Sequence, residues 1–93
     1  MLHTISTANQ SIIDTQLISD QDAVLFWQNG VMLARQHIPL LDEIVKKTPY
    51  CFALDSDIAA RGLIALIDAR ISIINMQQAV ELTAKYHPQL NWE

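Results

Sequence analysis

Tyr50-Cys51-Phe52-Ala53-Leu54-Asp55-Ser56-Asp57-Ile58-Ala59-Ala60-Arg61-Gly62-Leu63 is the stretch that decides how this chain folds. An apolar run stops at an acidic turn, a short helix follows, and a glycine closes it. In open α/β sheets ligand and partner sites gather at such turns, at the carboxyl ends of strands. Asp55 is expected to cap the helix, and Gly62 stands where a left-handed stop residue belongs. The only cysteine, Cys51, lies inside the apolar run and before the turn.

The flanking sequence alternates in the same way. Leu2 to Ser6 is a short strand candidate. Thr7 with Gln10 makes a capping box for a helix from about Ala8 to Ile18. Asp20-Gln21-Asp22 is a polar break before Ala23-Val24-Leu25-Phe26-Trp27, a continuous apolar run of the kind found where a parallel strand is covered on both faces. Gln28-Asn29-Gly30 ends that run, with Gly30 free to take positive φ, and Val31 to Arg35 suit one helical turn. Pro39 fits a first helical residue. Ile38, Leu41, Ile44 and Val45 then share a face, and Lys46-Lys47 complement the carboxyl end of the dipole. Thr48-Pro49 breaks the chain before a strand at Cys51 to Leu54. Leu63 to Ile67 reads as loop and Ile71 to Ile74 as a fourth strand. Asn75 with Gln78 repeats the capping box for a last helix ending near Tyr86, before His87-Pro88. This alternation predicts a three-layer α/β/α domain over residues 1–93, with a mostly parallel sheet of about four strands. Its two sheet edges need covering or pairing.

Composition narrows the partners. Charged residues make up 17% of the chain, below the usual share of about 25%, so part of the surface is expected to be apolar and to meet other subunits. The alternative is an efficiently packed monomer. Net charge is −4, and the six basic residues are scattered apart from Lys46-Lys47. Phosphate backbones are gripped by clustered Lys and Arg, so direct nucleic-acid binding is not expected. One cysteine makes no internal disulfide, which suits a reducing cytosol. The amino terminus lacks the basic and long apolar parts of a signal peptide, and no run approaches the ~20 residues of a membrane span. The chain is expected to be cytoplasmic.

The chemistry-bearing residues are few. Two glycines make no phosphate cradle, and His3, His37, His87 and Cys51 share no metal-ligand spacing, so neither cofactor nor metal is expected. His3 reads as a packed histidine and His87 as solvent-facing. Asp55 and Asp57 read as helix cap and dipole partner rather than as an acid–base pair. Arg61 either bridges to Asp57, four residues back, or reaches a partner subunit. Trp27 suits an interface anchor or core packing equally. Cys51 reads as a buried, inert thiol, since a reactive one needs a helix amino terminus or a cation and access to reagent; a sulfurtransferase using Cys51 itself is the rival.

These residues resemble a known family, the DsrH/TusB subunits of the DsrEFH-like sulfur-relay proteins. Met1-Leu2-His3-Thr4 resembles its opening strand and Gln28-Asn29-Gly30-Val31 its Gln-(Asn/Asp)-Gly-Val turn. Tyr50 to Leu63 resembles its strand, acidic turn and Ala-Arg-Gly-Leu helix end. Residues 71 to 92, with Glu81-Leu82-Thr83 and His87-Pro88 before Trp92, resemble its final strand and helix. The resemblance implies an assembly with two related subunits of the DsrE/DsrF (TusD/TusC) kind, two copies of each chain in a heterohexamer. It would relay persulfide sulfur from an upstream desulfurase and carrier protein toward the enzyme that thiolates the wobble uridine of certain tRNAs. The sulfur-carrying cysteine belongs chiefly to the TusD/DsrE-type subunit. Here Asp55, Ser56 and Asp57 occupy the turn, and none can hold a persulfide. Some relatives in sulfur oxidation carry a further cysteine in the first half of the chain; residues 1 to 50 have none, which favours the tRNA branch over that alternative. The resemblance thus implies a non-catalytic subunit, with Trp27, Gln28, Asn29, Gly30, Asp55, Asp57 and Arg61 as turn and interface elements. A self-contained homo-oligomeric module without a sulfur role is the reading from another class.

Overall fold

In a computed structural model describing residues 1–93, five strands pair in parallel throughout. They are β1 (Leu2–Ile5), β2 (Ala23–Phe26), β3 (Cys51–Leu54), β4 (Ser72–Ile74) and β5 (Gln89–Trp92), in the spatial order β4-β3-β2-β1-β5. The three α-helices are α1 (Pro39–Lys47), α2 (Asp55–Ala60) and α3 (Met76–Lys85). Successive steps from β1 to β4 move one way across the sheet, so right-handed crossovers place their connections on one face. The return from β4 to β5 passes back beyond β1 and therefore lays α3 on the other face. Sixteen buried residues, among them Ile5, Val24, Phe26, Leu41, Ile44, Cys51 and Ile58, fill the first layer. Seven, including Leu2, Leu25, Leu54, Ala79 and Leu82, fill the layer under α3. The α3 face is thus the thinner of the two.

Most local expectations follow from backbone chemistry. Pro39 opens α1, and Leu41 and Ile44 are its buried residues. Gly62 takes φ +64. Around it the N–H of Leu63 donates to Ile58 O at 3.0 Å and that of Gly62 to Ala59 O at 3.1 Å, the nested pair that ends a helix on a left-handed residue. Asn75 and Gln78 exchange both bonds of a capping box, Gln78 N–H to Asn75 Oδ1 at 2.8 Å and Asn75 N–H to Gln78 Oε1 at 2.9 Å. Residues Ile64–Leu66 form only a 3-10 turn.

Three expectations are corrected. The helix from Ala8 to Ile18 is replaced by two 3-10 turns, Gln10–Ile12 and Thr15–Leu17, capped by Asn9 and Asp14. The Thr7 hydroxyl accepts the N–H of Asn9 at 3.0 Å instead of joining a box. Short polar side chains at residues 7, 9 and 14 each offer the backbone a local partner, and that competes with helix propagation. The sheet has five strands rather than about four. Gln89–Trp92 lacks an apolar run because it is an edge strand, only partly covered; the N–H of Leu2 donates to Pro88 O at 3.0 Å and that of Ser6 to Trp92 O at 3.2 Å. Finally, positive φ in the first turn falls on Gln28 (φ 51), and Gly30 is not a positive-φ residue.

Candidate functional site

The carboxyl ends of β1, β2 and β3 meet in one constellation. The N–H of Trp27 donates to Ile5 O at 3.1 Å, and that of Gly30 to Trp27 O at 2.9 Å. Gly30 is required here by space: a Cβ on it would lie 1.8 Å from the Ile5 carbonyl oxygen. Across the gap, Asp57 Oδ2 accepts the N–H of Gln28 at 2.6 Å, satisfying the backbone of the residue held at positive φ. The Arg61 guanidinium donates to Asn29 Oδ1 at 2.9 Å and to Asp57 O at 3.1 Å, and lies 3.6 Å from the Asp57 carboxylate. Gln28, Asn29, Gly30, Asp57 and Arg61 thus form a latch between the turn after β2 and helix α2.

Asp55 stands outside it and does not cap. Leu54 occupies the cap position with extended backbone and a buried side chain, and Asp55 is the first helical residue. The strand runs straight into the helix, so no extended polar residue is left to reach back to the free N–H groups. Asp55 and Asp57 both lie in the first turn, where carboxylates complement the helix dipole. The connections leaving β3 and β4 go to opposite faces, so the crevice of an open sheet falls between the amino ends of α2 and α3. That crevice presents Asp55, Ser56 and Asn75. It holds no thiol, and its carboxylates repel an anionic sulfur species.

Cys51 faces the other way. Its residue is 1% exposed, packed in the sixteen-residue cluster at the amino end of β3. Three residues of strand, roughly 10 Å, separate it from the turn. Its sulfhydryl donates to Thr48 O at 3.3 Å. Burial pushes the thiol up to about 12, with Arg70 pulling weakly the other way. The thiolate is the reactive form, so this thiol is chemically quiet at neutral pH.

A buried network under β1 has no counterpart among the sequence candidates. His3 is fully buried; its Nε2 lies 2.8 Å from Asp22 Oδ2, and the Trp92 indole N–H donates to its Nδ1 at 3.1 Å. An indole only donates, so Nδ1 is the acceptor and Nε2 carries the proton given to Asp22. Burial works to raise the Asp22 carboxyl, but the Ser19 N–H, His3 and the Met1 amino group together hold it well below the usual carboxylate range. The available signal was His3 itself: a polar ring in an otherwise apolar strand needs a buried partner, and register places Val24 opposite it, two residues from Asp22.

The roomiest cleft, about 320 Å³, is lined by Gln36, His37, Asp42, Asp68, Ala69 and Arg70. Its guanidinium is already committed, to Asp68 at 2.8 and 2.9 Å and to Asp42 at 2.6 Å. Hydrogen bonding from Arg70 holds the Asp68 carboxyl at about 2. The charges close on each other and leave no free cation for an anionic ligand. No three His, Cys, Asp or Glu side chains converge as a metal-holding set, and no helix is long and apolar enough to cross a membrane.

With this geometry in place, comparison with known proteins is direct. A model of the family described as DsrH like protein matches residues 6–89. Protein TusB of Yersinia enterocolitica is 34% identical over 77 residues, covering 83% of this chain and 81% of that one. Protein TusB of Cronobacter sakazakii is 30% identical over 95 residues, covering 99% and 100%. An uncharacterised protein of Haemophilus influenzae is 40% identical over 76 residues, covering 80% and 77%.

Proposed function

We propose that this chain, which belongs to the DsrH-like family, is a non-catalytic subunit of a cytoplasmic sulfur-relay complex serving 2-thiolation of the tRNA wobble uridine. In this reading it assembles with two related α/β chains of the TusC and TusD kind, two copies of each, and the persulfide is carried by a sister subunit. The chain contributes surfaces: the latch at the turn after β2, with Gln28, Asn29, Gly30, Asp57 and Arg61, and the neighbouring Asp55 and Trp27. One observation carries the non-catalytic part. The sole sulfur nucleophile is walled into the core with its pKa raised to about 12, while the turn where a relay cysteine would be reachable is built from Asp55, Ser56 and Asp57. The absence of cysteine from residues 1 to 50 supports tRNA thiolation over a sulfur-oxidising complex.

The test joins assembly to chemistry. Co-expression with the two sister chains, followed by native mass measurement, is expected to give one complex containing all three. Loading that complex with persulfide is expected to add sulfur to a sister chain and none to Cys51. In cells, Cys51→Ala is expected to leave thiolated tRNA at its normal level, whereas deleting the gene abolishes it. Sulfur found on this chain and lost in Cys51→Ala, with thiolated tRNA lost too and the assembly intact, would overturn the reading.

A further inference from the structure

We infer that the cleft between α3 and Trp27 is the seat of a sister subunit, receiving an uncharged aliphatic side chain next to a free main-chain carbonyl. The inference rests on the sulfur-relay reading and assigns it a face. Trp27 lies in the thin layer under α3, and its indole N–H is buried without any partner. A buried donor left unmet is costly, and its chemistry specifies what completes it: an oxygen that accepts. The cleft beside it is about 60 Å³ and is walled by Leu25, Met76, Ala79 and Val80 with threonine and glutamine at its rim. Metabolite pockets run to roughly 300–1,000 Å³, so this space suits the tip of one side chain rather than a small molecule.

Charge and hydrogen bonding select the occupant. No residue lining the cleft is charged, which offers nothing to a phosphate backbone or an anionic lipid surface and makes desolvation by an apolar protein segment cheap. Outside the cleft, α3 carries a second apolar stripe. Met76 is 53% and Val80 59% exposed, and Ala84, four residues further on, is exposed as well. Residues spaced by four form a ridge that packs against another helix or loop. A second copy seated cleft to cleft would bring indole donor against indole donor, whereas the carbonyls of an intact helical wall are already engaged. A different chain, presenting an aliphatic residue beside a free carbonyl as at the end of a helix, meets both demands.

The experiment is titration of this chain with its co-expressed, purified sister pair of TusC and TusD type, read by native mass and by the indole N–H resonance of Trp27. Wild type is expected to bind, with that resonance shifting on assembly. Val80→Glu places a carboxylate on the ridge and is expected to weaken binding by roughly a hundredfold or more. Trp27→Phe keeps most of the ring and removes the donor, and is expected to weaken binding by about tenfold. Ile64→Glu, on the opposite layer and 63% exposed in the folded chain, is expected to bind as wild type. Should wild type bind while Val80→Glu binds equally well, the face is wrong and the relay reading stands. Should wild type ignore the sister pair, both fall. Should Val80→Glu instead abolish self-association of the isolated chain, a second copy is the occupant and the inference is overturned.

Discussion

Replacing Gly30 by alanine puts a methyl group where the backbone of β1 already is. The new Cβ would lie 1.8 Å from Ile5 O and 2.6 Å from Ile5 C, whereas ordinary contact begins at 3.4 Å. The obstacle is main chain rather than a flexible side-chain end, so the turn after β2 must lift away from the end of β1. Lifting it strains two hydrogen bonds, Trp27 N–H to Ile5 O (3.1 Å) and Gly30 N–H to Trp27 O (2.9 Å), each worth about 1 kcal/mol net. Displacing packed neighbours adds about 1–3 kcal/mol, for a total of about 3–5 kcal/mol. Gly62→Ala provides the contrast. Nothing lies within 4 Å of its Cβ, and only φ +64 resists the substitution, at about 1–2 kcal/mol. Urea unfolding followed by tryptophan fluorescence separates the two. With a slope of about 1–1.5 kcal/mol/M, Gly30→Ala is expected to lower the midpoint by about 2–4 M and Gly62→Ala by about 1 M. A Gly30→Ala midpoint equal to or above that of Gly62→Ala would refute the argument from close approach.

Three further outcomes follow from named contacts. The Asp22 carboxyl is held below its unfolded value, so its contribution is complete above pH ~4 and is lost as pH falls toward the folded value. Asp22→Asn is therefore expected to cost about 2 kcal/mol at pH 7 and clearly less at pH 3; an equal cost at both, measured by denaturant titration, would count against the ionic network. Asn75→Ala removes one half of the capping box and is expected to cost about 1 kcal/mol, with hydrogen exchange rising first in the opening turn of α3. Trp92→Phe strips the donor from His3 Nδ1 and is expected to cost about 1–2 kcal/mol. It should also release the imidazole from its single tautomer, which ¹⁵N shifts of the ring report directly.

The latch shows how far the site was legible. Gln28, Asn29, Gly30, Asp57 and Arg61 were all candidates, because turn chemistry and helix-end chemistry are local. Their roles inside it were only partly read. Gly30 was expected to supply positive φ, yet it is Gln28 that takes it, and Gly30 is needed for the approach of β1. Asp55 was expected to cap α2 and does not. Whether Arg61 turned to Asp57 or outward could not be settled along the chain, and in the fold its guanidinium spans Asp57 and Asn29. The His3–Asp22–Trp92 network escaped entirely, since its members are separated by up to 89 positions.

Period and punctuation alone established the parallel α/β alternation, the helix starts at Pro39 and Asn75, and the glycine stop at Gly62, because each depends on residues within a turn of one another. Pairing decided the rest. Gln89–Trp92 becomes a strand only because β1 offers it an open edge. The 8–18 segment loses its helix because its side chains and the sheet below offer the backbone better partners. Cys51 and Trp27 acquire their meaning from what packs over them: the first is sealed beneath a full layer, and the second is left with one donor unmet beside a thin one.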